Sequence, residues 1–110
     1  MDDVLTLLKT TYTENNAGIP IPTNTRKDVL CQRHSVSRSE FFNAGRNELN
    51  PAYVFTIFKG EYEGESICEY NGLTYAIYRT YETDDDYMEL YVERKGGTNG
   101  EKSDTGNTGG

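Results

Sequence analysis

A chain of 110 residues has the length of one domain, and with 35% hydrophobic residues it can build one modest core. Nine Tyr and no Trp suit strands whose aromatic faces are half wet. A formal charge of -7 argues against a general phosphate-gripping surface, because affinity for nucleic acid rests largely on Lys and Arg neutralising phosphates.

The segment Val4 to Tyr12 mixes alternation with β-branched residues and reads as a strand in preference to a helical turn. Residues 14-24 are rich in Asn, Gly and Pro, and Pro20 and Pro22 each remove a ladder donor, so a long exposed loop or hairpin tip is expected there. Within it Asn16, Gly18, Pro20 and Pro22 are the candidate docking residues, since loops of this kind order on contact with a partner. Asp28 to Val36 reads as a strand with Val29 and Cys31 on one face and Leu30, His34 and Val36 on the other.

Ser37-Arg38-Ser39-Glu40 is a capping-box pattern, in which the Ser37 hydroxyl accepts the Glu40 amide while the Glu40 carboxylate reaches back to the cap. It predicts a short helix over residues 38-44, with Phe41, Phe42 and Ala44 as its buried side and Gly45 as its stop. The near-continuous apolar run Tyr53 to Lys59 then predicts a central strand. Gly60 and Gly64 flank a wet turn carrying Glu61, Glu63 and Glu65, where water is expected to screen the carboxylates.

Ser66 to Tyr70 and Leu73 to Tyr81 are strands joined by Asn71-Gly72, a strong signal for a type I′ hairpin turn. On the second of them Leu73, Tyr75, Ile77, Arg79 and Tyr81 fall on one face. Asp84-Asp85-Asp86 makes a further turn, and Tyr87 to Arg94 forms the last strand with Met88, Leu90 and Val92 inward. These elements imply an all-β domain over residues 1-95, a small antiparallel β-barrel or sandwich with one short helix and a long N-terminal hairpin loop. Residues 96-110 carry six of the eleven glycines and are expected to form a disordered tail.

The chemistry-bearing residues are sparse. His34 is the single histidine, and Cys31, three residues before it, falls on the opposite face of a strand, so neither a nucleophile-base pair nor a metal pair is expected. The Asp84 run lacks the spacing, the Gly and the terminal Glu of a calcium loop. Cys31 and Cys68 read as buried apolar residues without a disulfide, in keeping with synthesis in a reducing cytoplasm. Met1-Asp2-Asp3 leads into neither a basic region nor a long apolar run, so no secretory signal and no membrane span are expected. No catalytic residue, cofactor or metal is called for.

Charge is unevenly placed. Residues 1-50 hold six basic and six acidic side chains, whereas residues 51-95 hold four basic against ten acidic. A neutral, arginine-bearing half beside an acidic half gives one chain two different surfaces that neighbouring copies could join. Arg33, Arg38 and Arg46 on one side, with Glu61, Glu63 and Asp85 on the other, are the candidate inter-subunit contacts. In the bland alternative Arg38 neutralises Glu40 and Arg46 neutralises Glu48 within the chain.

Four stretches in this order carry a family resemblance: Ser35 to Gly45, Leu49-Asn50-Pro51, Glu69 to Tyr81 and Glu89 to Arg94. Together they resemble the head closure, or head-tail joining, proteins of tailed bacteriophages and prophages. The resemblance implies a non-enzymatic virion protein that forms a homo-oligomeric ring beneath the portal and adaptor, made in the bacterial host cytoplasm. Such a protein retains packaged DNA without sequence-specific binding and offers a docking face to the tail. A second reading is a small binding module that recognises a peptide or sugar through Tyr70, Tyr75, Tyr78, Tyr87 and Tyr91; an enzyme would need a titratable cluster.

Overall fold

A computed structural model describes residues 2-95; the expected tail over residues 96-110 lies outside the described residues. The protein is a closed six-stranded antiparallel β-barrel with the neighbour order β1-β2-β3-β6-β5-β4. The strands are β1 (Asp3–Glu14), β2 (Pro20–His34), β3 (Pro51–Phe58), β4 (Ile67–Tyr70), β5 (Leu73–Glu82) and β6 (Tyr87–Arg94). One helix, α1 (Arg38–Gly45), joins β2 to β3, and a single 3-10 turn (Lys59–Glu61) follows β3.

Alternation fills the interior. Leu5 and Leu7 of β1, Val29 and Cys31 of β2, Phe55 and Ile57 of β3, and Met88, Leu90 and Val92 of β6 are all buried. Cys68, Tyr70 and Tyr75 complete the core from the β4-β5 hairpin. Its turn has positive φ at both Asn71 (51°) and Gly72 (78°), the pair of values a type I′ turn requires. Strands β4, β5 and β6 are consecutive neighbours, as the short turns between them imply.

The hairpin between β1 and β2 is longer than the sequence suggests. Its loop is confined to Asn15–Ile19, and the ladder runs on through Tyr12↔Pro22 to Glu14↔Pro20, so the two prolines lie in a strand. Asn15 donates its backbone N–H to the Ile19 carbonyl at 3.1 Å, so the odd-numbered residues of β1 and β2 bond to each other. Pro20 and Pro22 occupy the intervening positions, whose nitrogens face away from β1 and owe the ladder nothing. Gly18 (φ 75°) takes the left-handed position that closes the tip, and the Asn15 side chain accepts the Ala17 and Ile19 amides.

Three further expectations are corrected. Phe41 and Phe42 are 52% and 64% exposed, and Ala44 is the buried residue of α1. The helix lies on the outer face of β3, where Val54 is buried, and its two turns offer too little area to cover both rings. In β5 the register shifts between Ile77, opposite Val92, and Arg79, opposite Tyr91. This bulge gives Tyr78 no partner and turns Arg79 and Tyr81 out of the barrel, away from the face that carries Tyr75. Finally, Glu65 is buried rather than screened by water, and its carboxylate accepts the Glu63 amide at 2.7 Å.

Candidate assembly surfaces

The barrel has two chemically different ends. At one end β2 runs into α1, β4 turns into β5, and β6 finishes at Arg94. Arg33 closes this mouth, its guanidinium 4.9 Å from the Tyr53 ring centroid and 5.9 Å from that of Tyr70. Arg38 and Arg46 bracket the helix at its first position and its C-cap. Among the described residues Arg33, Arg38 and Arg46 make no ion pair, and neither do Arg94 and Lys95. The bland pairing of Arg38 with Glu40 and of Arg46 with Glu48 is therefore not formed. Asp3, Glu48 and Glu93 share this end, which makes it mixed rather than uniformly basic.

At the other end the β1-β2 hairpin leaves the barrel, beside the Glu61–Glu65 segment and the Asp84–Asp86 turn. Glu63 is held inside the chain, with Lys27 Nζ at 3.1 Å and Lys9 Nζ at 3.5 Å. The hydrogen bond from Lys27, then the charges of Lys27 and Lys9, hold its carboxyl below the usual range. Tyr62 donates its hydroxyl to the Glu65 carbonyl at 2.7 Å, which fastens the same loop. Asp84 accepts the Asp86 and Tyr87 amides at 2.8 and 2.9 Å, and these backbone bonds lower its pKa. Glu61 and Asp85 make no ion pair among the described residues, so this end keeps an acidic excess.

Between the two ends one cluster ties helix to sheet. The Ser37 hydroxyl accepts the Glu40 amide at 3.1 Å, which is half of a capping box. The other half is missing because the Glu40 carboxylate turns to β5. It accepts the Tyr78 hydroxyl at 2.7 Å and an Arg79 N–H at 2.6 Å. Arg79 in turn lies 3.8 Å from the Tyr91 ring centroid. Burial first, and the bond to Glu40 second, push the Tyr78 hydroxyl pKa well upward. Sequence periodicity missed this cluster, because the bulge that aims Arg79 outward leaves no residue signature of its own.

The residues expected to form a docking loop are separated by the structure. Asn16 and Gly18 form the exposed tip, while Pro20 and Pro22 belong to the strand behind it. The proposed tyrosine patch is dispersed as well. Tyr70 and Tyr75 are buried in the barrel, Tyr78 and Tyr91 are engaged with Glu40 and Arg79, and Tyr87 stacks on Phe58 at 4.9 Å. His34 shares a 3.0 Å hydrogen bond with Thr56 on the neighbouring strand. Among the described residues no three His, Cys, Asp or Glu side chains are placed to hold a metal, and no helix is long and apolar enough to cross a membrane. No protein-family model matches the chain, and no curated protein matches it.

Proposed function

We propose that this chain is a structural subunit of a phage head-tail connector, forming a ring below the portal and adaptor that retains packaged DNA and receives the tail. The observation that carries the reading is where the resembling stretches meet. Glu40 comes from the first, Tyr78 and Arg79 from the third and Tyr91 from the last, and a 2.6 Å bond, a 2.7 Å bond and a 3.8 Å stacking contact join them. Stretches scattered over the sequence thus form one unit that fixes α1 against the barrel.

The two unlike ends support the same reading, because a subunit stacked between two different neighbours along a channel needs two different faces. An acidic excess near the hairpin end would repel DNA and not grip it. The tyrosine-patch module is disfavoured by the burial of Tyr70 and Tyr75. The test is complementation of DNA-filled heads that lack this protein. Added chain should stop DNA loss and restore tail joining, and heads that neither leak without it nor join tails with it would sink the proposal.

A further inference from the structure

Among the described residues, strand β1 is opposed by β4 only through Thr6, Leu7 and Leu8, yet it continues to Glu14 with β2 alone beside it. Strand β2 meets β3 only through Gln32, Arg33 and His34. The Pro20–Cys31 stretch of β2 therefore has a second edge that no strand covers among the described residues.

Ladder parity says which backbone groups face these open sides. Ile77 donates its N–H to the Ser66 carbonyl at 2.8 Å, so the even-numbered residues of β4 face β5, and Ile67 and Glu69 face β1 opposite Leu8 and Thr6. The tip bond from Asn15 to Ile19 gives the same parity independently. Beyond Leu8, the amides of Thr10, Tyr12 and Glu14 point away from β2 to a side where no strand of the described residues lies. On β2 the amides of Asn24, Arg26, Asp28 and Leu30 point outward in the same way. Pro20 and Pro22 fall in that outward register and have no donor to offer. The tip of the β2 edge is thus blocked, while the rest of it and the β1 edge are open.

A cleft of about 500 Å³ lies at the base of the β1 edge, between Leu8, Lys9 and Thr10 and the Gly64–Ile67 approach to β4. A two-stranded ribbon is marginal in water by itself, and this one carries exposed Tyr12, Ile19 and Ile21.

We infer that the ribbon pairs edge to edge with a second copy of this chain, Thr10–Glu14 of one subunit adding antiparallel to Asn24–Leu30 of its neighbour. The two open edges lie on opposite sides of one ribbon and belong to strands that run in opposite directions. Copies set side by side in the same orientation therefore place β2 of one antiparallel to β1 of the next. A foreign peptide would fill one edge and leave the other bare, whereas a second copy uses both. The contact is heterologous, the kind that closes into a ring when the rotation allows. The prolines restrict pairing to the base of β2 and so restrict the register. This deepens the ring reading above.

The test uses the full chain in isolation, so it does not depend on phage particles. Tyr12→Pro removes the outward N–H and leaves the β1-β2 bonds in place, while Tyr12→Ala removes the ring and keeps the N–H. In sedimentation runs up to millimolar concentration, wild type and Tyr12→Ala should associate and Tyr12→Pro should remain monomeric. Hydrogen exchange on wild type should show the Thr10 and Glu14 amides slowing at least tenfold as concentration rises. That reading holds even if the proline variant folds poorly. Equal association of the two variants, or a wild type whose Thr10 and Glu14 amides stay unprotected at millimolar concentration, overturns the inference. Association that persists while head complementation fails would sink the connector role and leave this contact standing.

Discussion

Glu40 is the side chain on which most depends locally. It is 13% exposed, and it gathers a tyrosine hydroxyl and a guanidinium that would otherwise be only partly solvated. Glu40→Ala is predicted to destabilise the fold by about 1–3 kcal/mol, and Tyr78→Phe, which removes one hydrogen bond and keeps the ring, by about 0.5–1.5 kcal/mol. Chemical denaturation of both variants checks the order, and a Glu40→Ala variant as stable as Tyr78→Phe would contradict it. The two thiols make a pH prediction. Burial pushes Cys31 up to about 11 and Cys68 up to about 12, from 9.0 in each case. A group raised in the folded state contributes its stability fully below the unfolded pKa and loses it as pH climbs through the folded one. Stability should therefore decline between about pH 9 and pH 12. Thermal melts of Cys68→Ala should fall less steeply over that window than those of wild type, and iodoacetamide at pH 8 should leave both native thiols unmodified.

At the scale of elements, the informative irregularities are the bulge in β5 and the prolines of β2. The bulge re-aims one arginine and so decides which elements α1 can be tied to. The prolines decide how far the ribbon's open edge extends. Replacing both Pro20 and Pro22 with Thr returns two outward donors to the tip, and the ribbon should then associate more strongly and in more than one register. Sedimentation of that double variant should show larger and more heterogeneous species than wild type at equal concentration. An unchanged profile would mean that the prolines do not protect this edge.

For the whole molecule, the distribution of charge between the two ends matters more than the total of -7. Arg38 and Arg46 are exposed and without ion pairs among the described residues, and Asp85 and Glu61 stand at the far end. Contacts between such exposed charges are screened over about 8 Å at physiological ionic strength. If the chain is the connector subunit proposed above, its docking onto heads should weaken as salt rises, and Arg38→Glu with Arg46→Glu should weaken it at low salt while leaving the melting temperature within a few degrees of wild type. Docking of the double variant at wild-type efficiency would remove charge complementarity from the account. Arg33 is a poorer test, because its stacking on Tyr53 and Tyr70 would be lost together with its charge.

The sequence by itself determined the elements whose signals are local. Alternating apolar residues specified β6, the Asn71-Gly72 pair specified the β4-β5 hairpin, and Ser37 specified where α1 begins, because each depends on backbone geometry within a few residues. It also determined the all-β class, since period-2 patterning recurs along the chain. Tertiary structure alone decided barrel over sandwich, because closure depends on β1 meeting β4 across a separation that no local pattern encodes. It likewise decided the fate of Pro20 and Pro22, which read as loop residues by composition and became strand residues because their nitrogens fell on the outward register. Glu40 shows the same limit at a single side chain. Its backbone amide completes the local cap the sequence announced, while its carboxylate follows the stronger offer of a tyrosine and an arginine nearly forty residues away in sequence.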